Sequence, residues 1–179
     1  MPGPLDDLAA VGDLTKLLSG DQAAAVQRAQ RAVRSYCGWH IAPAFTETLK
    51  LDGDGSNLLF LPSLKIGEIV SVVTDGRVVD LDQVDDSEAG YLQLNAGCWS
   101  PRPGKTFVVL THGYENAPED VVAVVTAVAA RAIDSPSGRT REHAGEIDVG
   151  FALVGTGVSG GIALLEHEKA ILDRYRVSS

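Results

Sequence analysis

The sequence predicts an α+β fold: a small helical bundle, an antiparallel β module inserted into it, and a C-terminal helix after a flexible Gly-rich segment. Three observations carry this. Apolar residues recur at helical spacing between Asp21 and Cys37, and again in two segments after Asn116. Between Thr46 and Thr111 the pattern changes to short alternating or apolar runs separated by turn residues. The order helix, strands, helix, helix lacks the βαβ rhythm that a parallel sheet requires.

Taken in order, Leu5–Val11 and Asp13–Leu18 are two short helical candidates broken at Gly12. Asp21 is placed to cap a longer helix that runs to Cys37 and stops at Gly38. Val26, Ala29, Val33 and Tyr36 fall on one face of it, and its alanines allow a neighbour to approach closely. Arg28, Arg31 and Arg34 fall on the other side, either as a solvated face or as partners for an acidic neighbouring subunit. Strands are expected at Thr46–Leu51, Leu58–Leu61, Ile66–Thr74, Arg77–Leu81, Tyr91–Leu94 and Lys105–Leu110. Asp75-Gly76 between two of them is a strong hairpin signal, because both residues tolerate the positive φ of a tight turn. Asp80–Glu88 reads as a solvated acidic loop. The next helix begins at Asn116 or Ala117, with Pro118 in its first turn and Glu119 and Asp120 facing the positive end of the dipole. Val121, Val122, Val124, Val125 and Val128 make it apolar on nearly all sides, as in a buried helix. It ends by Ser135-Pro136. Residues 137–161 are irregular, with a possible strand at Ile147–Val154, and read as a flexible arm. A final amphipathic helix covers about Ile162 to Tyr175. The organisation is one domain: residues 1–136 plus 162–179 as a helical body, with the β insertion at about 46–112.

The composition bounds the function. With 179 residues, 45% hydrophobic and 22% charged, the chain can bury a substantial core. Its 24 acidic and 15 basic residues give a net charge of −9. That balance argues against gripping nucleic-acid phosphates, which takes clustered Lys and Arg, but not against letting DNA pass without adhering. Two cysteines, Cys37 and Cys98, suit a reducing compartment. Met-Pro-Gly-Pro at the start has neither the basic nor the apolar region of a signal peptide, and no apolar stretch has membrane-spanning length.

No strong catalytic pattern is present. Gly155-x-Gly157-x-x-Gly160 matches a dinucleotide fingerprint in form, but the sequence after it offers neither a returning strand nor an acidic residue about 20 positions on. Asp52-x-Asp54-x-Ser56 opens like a calcium loop, yet Asn57 and Ser63 stand where glycine and glutamate are needed. His40, His112, His143 and His167 share no metal-ligand spacing, and His112 reads as a strand-end residue satisfied by backbone. Asp6-Asp7, Asp85-Asp86 and Glu119-Asp120 are sequence neighbours whose side chains diverge, so they are not acid/base pairs. Catalytic, cofactor-binding and metal residues are therefore expected to be none, and the chain is expected not to be an enzyme.

Four blocks remain. They are Arg34-Ser-Tyr-Cys-Gly-Trp-His-Ile-Ala-Pro43, Leu61-Pro62-Ser63-Leu64, Thr111-His112-Gly113-Tyr114 followed by Pro118, and the ending from Leu164 to Arg176. In this order and spacing, from about Leu5 to Arg176, the chain resembles the head–tail connector (adaptor, or head-completion) proteins of long-tailed bacteriophages, particularly those of actinobacteria. The resemblance implies a structural virion protein of the neck, folded in the host cytoplasm and built into the head–tail interface. It implies a homo-oligomeric ring, usually of twelve copies, docked beneath the portal protein. Such a ring extends the DNA channel toward a stopper or tail protein and lets double-stranded DNA through without specific binding or contact with a membrane. A stopper or tail terminator is the other neck position, and a small nucleotide-binding enzyme the alternative outside it. The surfaces expected to meet neighbours are Arg28, Arg31, Phe151, Leu153, Val154, Leu165, Leu172, Tyr175 and Arg176.

Overall fold

The computed structural model describes residues 20–134 and 162–177, and the backbone of 141–144 and 147–150. The helices expected within Leu5–Leu18, and Phe151, Leu153, Val154 and the glycine-rich run after them, lie outside the described residues. The fold is α+β, with antiparallel sheets and a C-terminal helix. The chain divides into two compact units, Met1–Cys37 with Asn116–Arg176, and Gly38–Glu115 with Val177–Ser179.

The first unit is helical. Helix α1 spans Gly20–Cys37, so Asp21 lies in its first turn rather than capping it. Gly38, at φ 82°, closes the helix in the left-handed region that glycine enters without a Cβ penalty. Helix α2 spans Glu119–Asp134. It starts two to three residues later than expected, because Pro118 contributes its carbonyl to Val122 N (3.0 Å) from outside the helix. It is also not buried all round: Val121, Val124, Val125, Val128, Ala129 and Ala132 are buried, while Ala123, Thr126, Ala127 and Ala130 face solvent. The valines share one stripe, and the positions between them are small enough to stay exposed at little cost. That stripe packs against Ala25, Val26, Ala29 and Val33 of α1, whose small side chains let the two helices approach closely. Helix α3 spans only Glu166–Leu172, continued by a 3-10 turn at Asp173–Tyr175. It does not start at Ile162, because Leu165 is extended (φ −76°, ψ 157°) and its N–H is taken by the Glu168 carboxylate (2.8 Å). Within the stretch expected to be irregular, Arg141–Ala144 (β8) and Ile147–Gly150 (β9) pair antiparallel.

The second unit is two small sheets. Strands β1 (Phe45–Leu51), β2 (Leu58–Phe60), β3 (Ile66–Thr74), β4 (Arg77–Val79), β5 (Val84–Ser87), β6 (Tyr91–Leu94) and β7 (Thr106–His112) form a four-stranded sheet, β1-β7-β3-β4, and a three-stranded sheet, β2-β6-β5. Asp75 and Gly76, at φ 50° and 78°, make the β3–β4 turn that the Asp-Gly pair predicts. The acidic segment 80–88 is not a loop. After a 3-10 turn at Leu81–Gln83 it forms edge strand β5, paired with β6 from Val84↔Leu94 to Ser87↔Tyr91. Its consecutive aspartates are tolerated because an edge strand keeps both charges in water.

One core joins the sheets. Val72, Val108 and Leu110 from the larger and Leu59, Leu92 and Leu94 from the smaller are buried in a single cluster with Trp99. The Trp99 ring has no exposed surface, and its indole N–H donates to Asn57 O at 2.9 Å, so burial leaves no polar atom unpaired. Since the inner faces of both sheets meet at this cluster, their outer faces look away from it on opposite sides.

Candidate functional site

Two of the motif blocks meet inside the β unit. His40 and His112 stack edge to face with ring centroids 4.4 Å apart, and His40 Nε2 lies 3.2 Å from His112 O. Gly113, at φ 103°, has room for a hydrogen but not for a Cβ, which would run into His40 Nε2 and the carbonyls of Ile41 and Pro43. Its N–H donates to Lys65 O, and the N–H of Tyr114 donates to Ile41 O, both at 2.8 Å. The Trp-His-Ile-Ala-Pro and Thr-His-Gly-Tyr blocks are thus one packed corner. His112 is not satisfied by backbone as expected: its Nε2 pairs with Glu47 Oε1 at 2.8 Å, and its buried Nδ1 lacks a partner. The reason is its inward position at the end of β7: Phe45 stands opposite it on β1, and Glu47, opposite Leu110 on the same face, reaches it diagonally.

The terminal block is fixed inside the helical unit. Glu168 is 2% exposed and receives Arg131 in bidentate fashion, Nη1 to Oε1 at 2.6 Å and Nη2 to Oε2 at 2.8 Å. Nη2 also reaches Ala163 O at 3.1 Å. Burial opposes ionisation of Glu168, but the Arg131 hydrogen bonds, the Leu165 N–H and the guanidinium charge outweigh it and hold the carboxyl below its ordinary value. Tyr36 and Asp173 add a hydroxyl–carboxylate bond of 2.6 Å. Sequence reasoning missed the Arg131–Glu168 pair because its members are 37 positions apart; a carboxylate at the third position of a helix was the available signal.

The residues expected to meet neighbours divide accordingly. Arg28 and Arg31 are exposed on α1, with Arg28 Nε 3.3 Å from Ala24 O. Leu165 is half-buried ahead of α3. Leu172 is fully buried, so it serves the core of its own subunit and offers no surface to another; its place on the inner stripe of α3 is the cause. The Tyr175 hydroxyl donates to Asp120 Oδ1 at 2.8 Å. Arg176 is exposed and lies over the Tyr36 ring, 5.5 Å from its centroid. Phe151, Leu153 and Val154 are outside the described residues.

The surfaces not foreseen are the outer faces of the two sheets. On the larger, register places Lys50, Phe107, Val73 and Val78 in one row across all four strands. Val78 is 79% exposed and Phe107 38%. On the smaller, Phe60 and Tyr91 oppose each other with ring centroids 6.1 Å apart, and Phe60 is 64% exposed. Among the described residues no three His, Cys, Asp or Glu side chains converge as metal ligands, and no helix is long and apolar enough to cross a membrane.

No protein-family model matches the chain, and no curated protein matches it in sequence. Several chains of solved structures match its fold, two of them from particle necks. One chain comes from the neck of a native GTA particle computed with C12 symmetry. It has a TM-score of 0.60 at 14% identity, covering 100% of this chain and 93% of that one. The other comes from the neck of an empty GTA particle computed with C6 symmetry, with a TM-score of 0.54 at 15% identity, covering 99% and 92%. From one end to the other, the chain has the fold of a chain found in particle necks.

Proposed function

We propose that this protein is a structural ring component of the neck of a phage-like particle, and within the neck the adaptor that docks beneath the portal. The observation that supports it most is end-to-end likeness of fold to a neck chain in an assembly of C12 symmetry. The sequence blocks of actinobacteriophage head–tail connectors point to the same position. Twelve copies would extend the channel from the portal toward a stopper or tail protein. A net charge of −9 suits that work, because a channel that repels phosphates lets DNA slide through. The role is assembly rather than catalysis, and Arg28, Arg31 and residues 147–154 are its proposed contacts with neighbours.

Purified protein imaged by negative stain with and without the portal of its own particle tests this. Rings coaxial with the portal are expected. Rings that bind only beneath another neck protein would assign the stopper or terminator position instead, and turnover of a nucleotide by the purified chain would overturn the structural role. Truncation after Gly145 would also remove α3, whose Leu172 and Glu168 are buried in the helical unit, so the test deletes residues 147–161 alone: attachment to the portal should be lost, and normal attachment would remove that segment from the docking surface.

A further inference from the structure

We propose that copies of this chain join head to tail through the outer faces of their two β-sheets, the larger sheet of one copy seating on the smaller sheet of the next. The inference rests on the ring reading above and deepens it by naming the surfaces. A ring needs two different, mutually complementary patches on each subunit, facing away from one another. The β unit has such a pair. Its single core lies between the sheets, so their outer faces point in opposite directions.

Each face carries exposed apolar side chains inside a charged rim, and the rims have opposite sign. Phe107, Val73 and Val78 form the apolar row of the larger sheet. Lys50 ends that row, and Lys105 is exposed two residues before Phe107, immediately ahead of the same strand. On the smaller sheet the Phe60–Tyr91 pair is the apolar centre. Edge strand β5 lies beside it and places Asp85, paired with Gln93, exposed on the same face, with Asp80, Asp82 and Glu88 exposed on either side of the strand. A soluble single-copy protein has little reason to display Phe60 at 64% and Val78 at 79% exposure on opposed faces. Charges placed only to stop edge-to-edge strand pairing would account for the aspartates and Lys50, but not for the exposed aromatics and valines. An apolar centre with a complementary charged rim is the anatomy of a protein interface, and the opposed rims would fix its polarity. Since the second copy supplies both faces in turn, no other partner is needed to close the chain of contacts.

Charge exchange in the full-length protein tests this. One variant carries Lys50→Glu and Lys105→Glu, the other Asp82→Lys and Asp85→Lys. Assembly is followed by mass photometry and negative stain under the conditions in which the parent forms rings. Each variant alone should need roughly tenfold more protein, or more, to assemble, because like charges then oppose each other across the contact. An equimolar mixture should recover parental assembly in rings of alternating copies, since each variant restores the rim its neighbour lacks. Melting curves confirm folding, and Val78→Glu, at a position outside the core, provides a second disruption if a charge variant fails to fold. Parental assembly by each variant alone would overturn the proposal while leaving the ring reading intact. So would separate failure without recovery in the mixture. A parent that forms no ring with or without its portal would instead overturn the ring reading itself.

Discussion

Replacing Glu168 by alanine removes the one carboxylate that is buried among the described residues of the helical unit. Three hydrogen bonds disappear together: two from Arg131 and one from the Leu165 N–H. Arg131 is left 22% exposed with its charge uncompensated and its Nε already without a partner. Breaking a buried ion pair from one side costs about 3–5 kcal/mol. Water reaches part of Arg131, so the lower end, about 3 kcal/mol, is expected. That is a large fraction of the ~5–15 kcal/mol that holds a domain folded. Urea unfolding followed by far-UV circular dichroism measures it, and hydrogen exchange at the amides of 165–172 reports whether the terminal helix detaches first. The effect also depends on pH in a defined direction. The folded pKa of Glu168 lies below its ordinary 4.5. The pair's contribution is therefore complete above the unfolded value and is lost as pH falls through the folded one. The stability difference between parent and Glu168→Gln should accordingly shrink below about pH 4.5. A Glu168→Ala variant within 0.5 kcal/mol of the parent, roughly the scatter of neutral surface changes, would refute the reasoning.

The remaining predictions concern local features. Burial, and then the Asp173 charge, push the Cys37 thiol up to about 12, whereas Cys98 is exposed, so a thiol reagent at pH 8 should label one cysteine quickly in the folded protein and two after unfolding. Rapid labelling of both would contradict the packing of α1. Gly113→Ala should destabilise the β unit by about 2–4 kcal/mol through strain and collision with the His40 corner, read as a lower denaturation midpoint by tryptophan fluorescence. Gly76→Ala, which has open space but φ 78°, should cost only about 1–2 kcal/mol; equal losses at the two glycines would show that the corner contributes nothing beyond backbone conformation.

Much of the fold was legible where local chemistry decides it. Asp75-Gly76 fixed the hairpin because positive φ is a property of those two residues, and Pro136 marked the end of α2 to within a residue. The strand at Val84–Ser87 was hidden because both faces of an acidic edge strand can stay wet, leaving no alternation to read. Helix α3 began late because Glu168 prefers Arg131 and the Leu165 N–H to an exposed position, a choice made by tertiary contact. Leu172 and Phe107 show the same limit from two sides. Helical or strand spacing puts each on a face, but only packing decides that Leu172 is sealed inside the subunit while Phe107 remains at the surface. The pairing of Trp-His-Ile-Ala-Pro with Thr-His-Gly-Tyr was equally out of reach, although each block was visible separately.

The central claim is that this chain closes a ring on the axis of a particle neck. Cryo-electron microscopy of particles assembled with the protein bearing an added epitope, decorated with the matching antibody fragment, measures its location and copy number together. The account predicts a closed ring of labels immediately beneath the portal. Labels scattered over the capsid, or infectious particles that carry none, would contradict it.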